Sequence, residues 1–247
     1  MDKEYFKEYF YNERNHWWFL VREKIIGYEL TKLLKEKDFN RTIKILNVGC
    51  ATGRTSEFLE KFGEVISLEY DEDCYNFVKE KLNINIVNGS VLDLPFENEI
   101  FDVVCAFDII EHVHDDLKAA EEMKRVLKNN GNLILTVPAF NFLWSEHDEI
   151  NFHFRRYTKK TLLNTLNVFK LNKTYYFNSI LFIPIAIVRL LSRFKSKKLE
   201  KKSDFKRFNS SLVSKILYFI FQIDLFLIKN KFKPKFGTSI LLIASKK

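Results

Sequence analysis

Between residues 43 and 137, short β-branched and aromatic runs alternate with stretches of helical periodicity, and few folds accommodate that order. Strands are expected over residues 43–48, 64–69, 84–87, 101–107 and 132–137, with helices over 71–82 and 115–127. Strands separated by helices pair in parallel, because a parallel neighbour needs a crossover long enough to hold a helix. The expectation is an α/β, Rossmann-like, doubly wound sheet that binds ligands at the carboxyl ends of its strands. Asn129-Asn-Gly131 should stop the second helix, with Gly131 supplying the left-handed conformation common at helix ends. Pro138 should close the strand that follows, since it donates nothing to a ladder.

Flanking segments complete the outline. Residues 15–36 carry apolar side chains at helical spacing, and Asn40-Arg-Thr breaks before the first strand. After Pro138 comes a long loop, then a helix over 158–166, a strand over 171–177 and a last strand over 238–244. The chain thus divides into a helical cap (1–40), a central domain (41–177 with 236–247) and an apolar, basic helical insertion (178–235).

Charge is unevenly distributed. Residues 171–247 hold 17 Lys and Arg against Glu200, Asp204 and Asp224, whereas residues 1–170 are net acidic. Basicity therefore belongs to the tail. Cys50, Cys74 and Cys105 show no C-x-x-C spacing, so neither a disulfide framework nor a metal site is expected, which suits a reducing cytoplasm. The charged N-terminus lacks the apolar run of a signal peptide.

Chemistry concentrates in Ile43-Lys-Ile-Leu-Asn-Val-Gly-Cys-Ala-Thr-Gly-Arg54. A strand stopping at small residues and turning into a helix collects backbone N–H groups and the positive end of a helix dipole, a site for a nucleotide-like cofactor. Dehydrogenases want G-x-G-x-x-G, but Ala51 and Arg54 stand at the second and third glycine positions; a P-loop wants Lys after its last glycine. Glu69, roughly twenty residues on at the end of a strand, is placed to hold ribose hydroxyls.

This order, with Asn88-Gly-Ser-Val-Leu-Asp-Leu-Pro-Phe96 and Phe107-Asp-Ile-Ile-Glu-His112, resembles the class I S-adenosyl-L-methionine (SAM) dependent methyltransferases of the type 11-like group. The resemblance implies a seven-stranded mixed sheet whose last strand is antiparallel, and SAM as cofactor. It places Asn47, Gly49, Cys50, Ala51, Gly53, Glu69, Ser90, Val91 and Asp108 in the cofactor site. Asn47 stands where Asp or Glu is usual, and Ser90 where Asp is frequent; each keeps only a neutral hydrogen bond.

His16-Trp-Trp-Phe19 and the loop Trp144-Ser-Glu-His-Asp148 … His153-Phe-Arg-Arg-Tyr157 resemble a subgroup found with glycan and lipid-linked sugar biosynthesis. The implied acceptor is a small molecule or a glycan or lipid-linked sugar, methylated on oxygen with a histidine base. His147, His112 and His153 are the candidates, and His147 is preferred because chain order puts it in the loop over the acceptor. Each is also open to the plainer reading of a hydrogen-bonded structural histidine. Trp17, Trp18, Arg155, Arg156 and Tyr157 are the substrate-side candidates, set against packing for the tryptophans and pairing with Glu146, Asp148 or Glu149 for the arginines.

In the insertion, residues 180–188 are apolar but too short to span a bilayer, and basic residues follow from Arg189 to Lys202. Residues 212–228 form a second apolar segment, with Ser211, Lys215, Gln222 and Lys229 on a narrow polar face. Two readings stand side by side: a helical pair packed on the domain, or a hairpin on an anionic membrane surface at the inner face. Nucleic acid ranks third, since basic residues spaced with aromatics are absent. A non-catalytic SAM-fold scaffold and an RNA methyltransferase are the competing functions; no Asn-Pro-Pro-type motif follows the fourth strand to favour the latter.

Overall fold

The computed structural model describes residues 3–37, 41–192 and 211–247. Its seven strands are β1 (Lys44–Val48), β2 (Glu64–Glu69), β3 (Ile86–Asn88), β4 (Phe101–Phe107), β5 (Leu127–Pro138), β6 (Phe169–Phe177) and β7 (Ser239–Lys246). They form one sheet in the order β3-β2-β1-β4-β5-β7-β6. The first five are parallel, and β7 runs antiparallel to both β5 and β6.

Alternation along the strands divides the core in two. In β4, Val104 and Ala106 enter one cluster while Val103, Cys105 and Phe107 enter the other. Both faces are covered, which is why the strand reads as a continuous apolar run. Helices α1 (Lys3–Asn15), α2 (Trp17–Lys37), α3 (Arg54–Leu59), α4 (Glu72–Lys81) and α5 (Asp116–Val126) are followed by α6 (Glu146–Ile150), α7 (Lys159–Thr165), α8 (Phe182–Ser192) and α9 (Ser211–Lys229). Met123 of α5 and Leu162 of α7 pack on one face; Ile25 of α2 and Phe221 of α9 pack on the other. Side-chain caps set several starts: Asp71 accepts from the Cys74 N–H, and Asp115 from the Lys118 N–H.

Local expectations need adjustment in three places. The expected leading helix is α2, and a separate helix, α1, precedes it across His16. β5 takes over directly from α5 at Leu127, and the left-handed residue is Asn130 (φ 62°), not Gly131. Asn enters that region more readily than other non-glycine residues, because its short polar side chain can bond locally. The loop after Pro138 is not helix-free: it holds a 3-10 turn (Asn141–Leu143) and α6, whose start is closed by a Ser145–Asp148 capping box. In the insertion, α8 and α9 lie between β6 and β7, while the lysine-rich stretch 193–202 lies outside the described residues.

Strand order reverses between β1 and β4, whose carboxyl ends face a common crevice. α1 and α2 reach this end of the sheet. Phe6 and Phe10 of α1 meet Phe77 of α4, and Trp17 of α2 meets Phe221 of α9.

Candidate active site

The loop after β1 is shaped by three residues with positive φ: Gly49 (68°), Ala51 (47°) and Gly53 (87°). A Cβ on Gly49 would fall 2.0 Å from Ile109 Cδ1, so the backbone passes where no side chain fits. The turn directs the Ala51 N–H to Glu69 Oε2 at 2.7 Å, and the Asp71 N–H reaches Oε1 at 3.0 Å. Burial raises the Glu69 pKa above the ordinary carboxylate value, against the pull of these two donors. A carboxylate offers about four lone-pair sites, so two remain for a ligand diol. α3, expected to lend its dipole, is only six residues long and contributes little.

A cavity of about 1140 Å³ opens at the crevice. Gly49, Ala51, Glu69, Ser90, Val91 and Asp108 line it, as six of the nine expected cofactor residues. Asn47, Cys50 and Gly53 do not. Asn47 is fully buried and donates to Ser56 Oγ at 2.9 Å, so it braces β1 against α3. Cys50 is also fully buried, and burial pushes its thiol well above the ordinary value. Asp108 pairs with Arg22 of α2, whose guanidinium lies 4.8 Å from the Trp18 ring centroid.

Elsewhere the wall holds Trp17, Trp18, His112, His147, His153 and Arg156. His112 is brought against the two loop histidines: ring centroids are 4.6 Å apart for His112–His153 and 6.3 Å for His147–His153. Asp148, fully buried, accepts from His153 Nδ1 at 2.8 Å and from Arg156 Nε at 2.7 Å. Burial would raise the Asp148 pKa, but His153 and Arg156 outweigh it and hold the carboxyl well below its usual range. Enclosure by the wall pushes His112 down to about 4, with His153 acting in the same direction.

Arg155 and Tyr157 stand away from the cavity wall. Tyr157 is 2% exposed and donates to Asp116 Oδ2 at 2.7 Å; Arg155 pairs with Asp116 Oδ1 at 2.9 Å. They fasten the loop to α5. Arg156 reaches the wall but is committed to Asp148.

Several wall residues escape sequence reasoning. Glu13 of α1, buried and accepting from Thr52 Oγ1, sits in a charged segment without a pattern to mark it. Glu111 stands beside His112 in the quoted motif and was the readable omission. Leu181, Ile185 and Val188 at and within α8 also line the cavity, a contact that helical periodicity cannot foretell.

A methyltransferase-domain family model matches residues 46–135. An uncharacterised protein of Methanocaldococcus jannaschii is 30% identical over 163 residues, covering 66% of this chain and 69% of that protein. The chain belongs to the class I SAM-dependent methyltransferases. A demethylmenaquinone methyltransferase of Staphylococcus aureus is 31% identical to this methyltransferase over 128 residues, 46% of the chain and 53% of the relative. The match thus spans about half the length of that relative. The crystal structure of a putative sarcosine dimethylglycine methyltransferase from Galdieria sulphuraria shares the fold, with a TM-score of 0.59, 18% identity and coverage of 93% and 86% of the two chains.

The residues present fit the cofactor of this enzyme family. Glu69 presents a buried carboxylate of the kind that suits a ribose diol, and the Gly49–Ala51 backbone lies on the same cavity wall. Among the described residues, no helix of the methyltransferase is long and apolar enough to cross a membrane.

Proposed function

We propose that the methyltransferase methylates a hydroxyl of a small molecule with an extended apolar part, such as a lipid-linked sugar. The observation that carries this reading is one continuous cavity wall joining Glu69 and the β1 loop to three histidines. SAM supplies a methyl group already activated on a sulfonium, so alignment and proton removal are what the protein adds. Glu69, the Gly49–Ala51 backbone, Ser90 and Val91 hold the nucleoside. Trp17 and Trp18, with Leu181, Ile185 and Val188, exclude water and receive the apolar part of the acceptor. His147, on α6, takes the hydroxyl proton on a ring nitrogen. An apolar wall of this extent favours such an acceptor over an RNA backbone.

The same reading sets the insertion against the anionic inner face of a membrane. Its support is the exposed row Leu212, Ile216, Phe219, Ile223 and Phe226 along α9, beside a strongly basic tail.

Methyl-labelled SAM incubated with a lipid extract tests the proposal. Label is expected in the organic phase, and label only in an added RNA fraction would replace the reading with nucleic-acid methylation. His147→Ala should retain SAM affinity by calorimetry and lose turnover; turnover at the wild-type rate excludes His147 as the base.

A further inference from the structure

Glu111, His112 and His153 converge on one point of the cavity wall, each offering a ligand atom within 4.8 Å of the other two. Their surroundings distinguish them from an ordinary polar cluster. Glu111 is fully buried, and neither of its carboxylate oxygens has a hydrogen-bond partner. A buried carboxylate without a counter-charge or donor is strongly disfavoured. Arg22 and Arg156 lie near enough to favour the carboxylate, but Arg22 is engaged with Asp108 and Arg156 with Asp148, and neither bonds to Glu111.

The His153 imidazole is oriented through one ring nitrogen, its Nδ1 bonding to Asp148 Oδ1 at 2.8 Å. The His112 ring stands edge-on to it, with centroids 4.6 Å apart. A ring held by one nitrogen, as His153 is, presents the lone pair of the other. Carboxylate partners of this kind fix the tautomer and direction of metal-binding histidines. Asp148 is itself held by Arg156 and by the Ser145 N–H, so the support extends a further layer.

We propose that Glu111, His112 and His153 bind a divalent transition-metal ion, with Asp148 positioning His153. Two imidazoles and a carboxylate suit Zn²⁺ and the first-row dications of similar size, and three protein ligands leave coordination positions for exchangeable groups. All three residues line the cavity, so those positions open onto it. His147 lies on the same wall, with its ring beside the Asn151 amide. An acceptor oxygen on the ion would lose its proton more readily. That consequence rests on the O-methylation reading above, whereas ion binding does not.

The test uses untagged, full-length, chelator-treated protein titrated with Zn²⁺ by calorimetry, alongside thermal unfolding with and without Zn²⁺. One ion per chain at micromolar or tighter affinity is expected, with a rise in Tm on adding the ion. Glu111→Gln keeps the side-chain shape and replaces the ligating carboxylate with a poorer ligand, so it should fold while losing the Zn²⁺-dependent rise. His153→Ala should weaken binding by at least ~100-fold. SAM affinity, measured on the same samples, serves as the folding control. Absence of stoichiometric Zn²⁺ binding in the wild type, or undiminished binding in both variants, overturns the metal site. Label transfer by the chelated enzyme is scored separately, so the methylation reading can stand or fall without it.

Discussion

At the scale of single residues, carboxylates carry much of the cofactor end, and each is held differently. Glu69 takes two backbone N–H groups and keeps lone pairs facing the cavity. Glu69→Gln retains the size but surrenders charge-assisted bonding, so SAM affinity should fall about 10- to 100-fold, or roughly 1.5–3 kcal/mol, by calorimetry. Glu13 is pushed by burial to about 7 from the ordinary 4.5, with Thr52 pulling the other way. Since the folded protein binds this proton more tightly than the unfolded chain, the stabilisation is full below pH 4.5 and is lost as pH rises through about 7. The unliganded wild type should therefore lose about 3 kcal/mol relative to Glu13→Gln between these limits, seen as a widening Tm gap in thermal denaturation. Glu69 was legible because its place at a strand end has a chemical reason. Glu13 was not, because its burial arises from how α1 lies across the loop.

At the scale of elements, the insertion is fastened by one of the three acidic residues of the basic tail. Asp224 is fully buried and accepts from the Ser179 N–H at 2.6 Å, from Ser179 Oγ at 3.1 Å and from the Ile180 N–H at 3.3 Å. It ties α9 to the chain just before α8. Asp224→Ala strands these donors, and chemical denaturation should show a loss of about 2–3 kcal/mol. Strands were the most readable elements: β2 and β4 fall on their expected residues because period-two burial and flanking turns are local signals. The 141–157 loop was less so, since its order comes from Asp148 binding residues on both sides of it, and no periodicity records such a clasp. Its histidines were recognisable by type, but their convergence with Glu111 depends on the sheet bringing residues 111 and 153 together.

At the scale of the whole molecule, most of the exposed large apolar side chains among the described residues fall in the basic third of the sequence. The exposed row on α9 and the exposed Ile183, Ile187 and Leu191 of α8 belong to the basic third of the chain. Contiguous apolar surface beside positive charge is what an interfacial helix presents to acidic lipid. The wild type should co-sediment with vesicles containing phosphatidylserine, more weakly as salt rises. Phe219→Ser with Phe226→Ser should reduce the bound fraction several-fold while leaving SAM affinity unchanged; equal sedimentation of the two proteins would remove the membrane contact. Fold class, cofactor and sheet topology were readable at this scale because each follows from strand order and one loop. The full lining of the cavity was not, because its walls come from both ends of the chain.

That cavity also carries its own reporter. Of the three tryptophans in the chain, Trp17 and Trp18 face the cavity and Trp144 does not. Cofactor or acceptor entering it must alter the polarity and quenching around two of the three indoles. Native emission should thus follow occupancy in real time, without a label and before any acceptor has been identified.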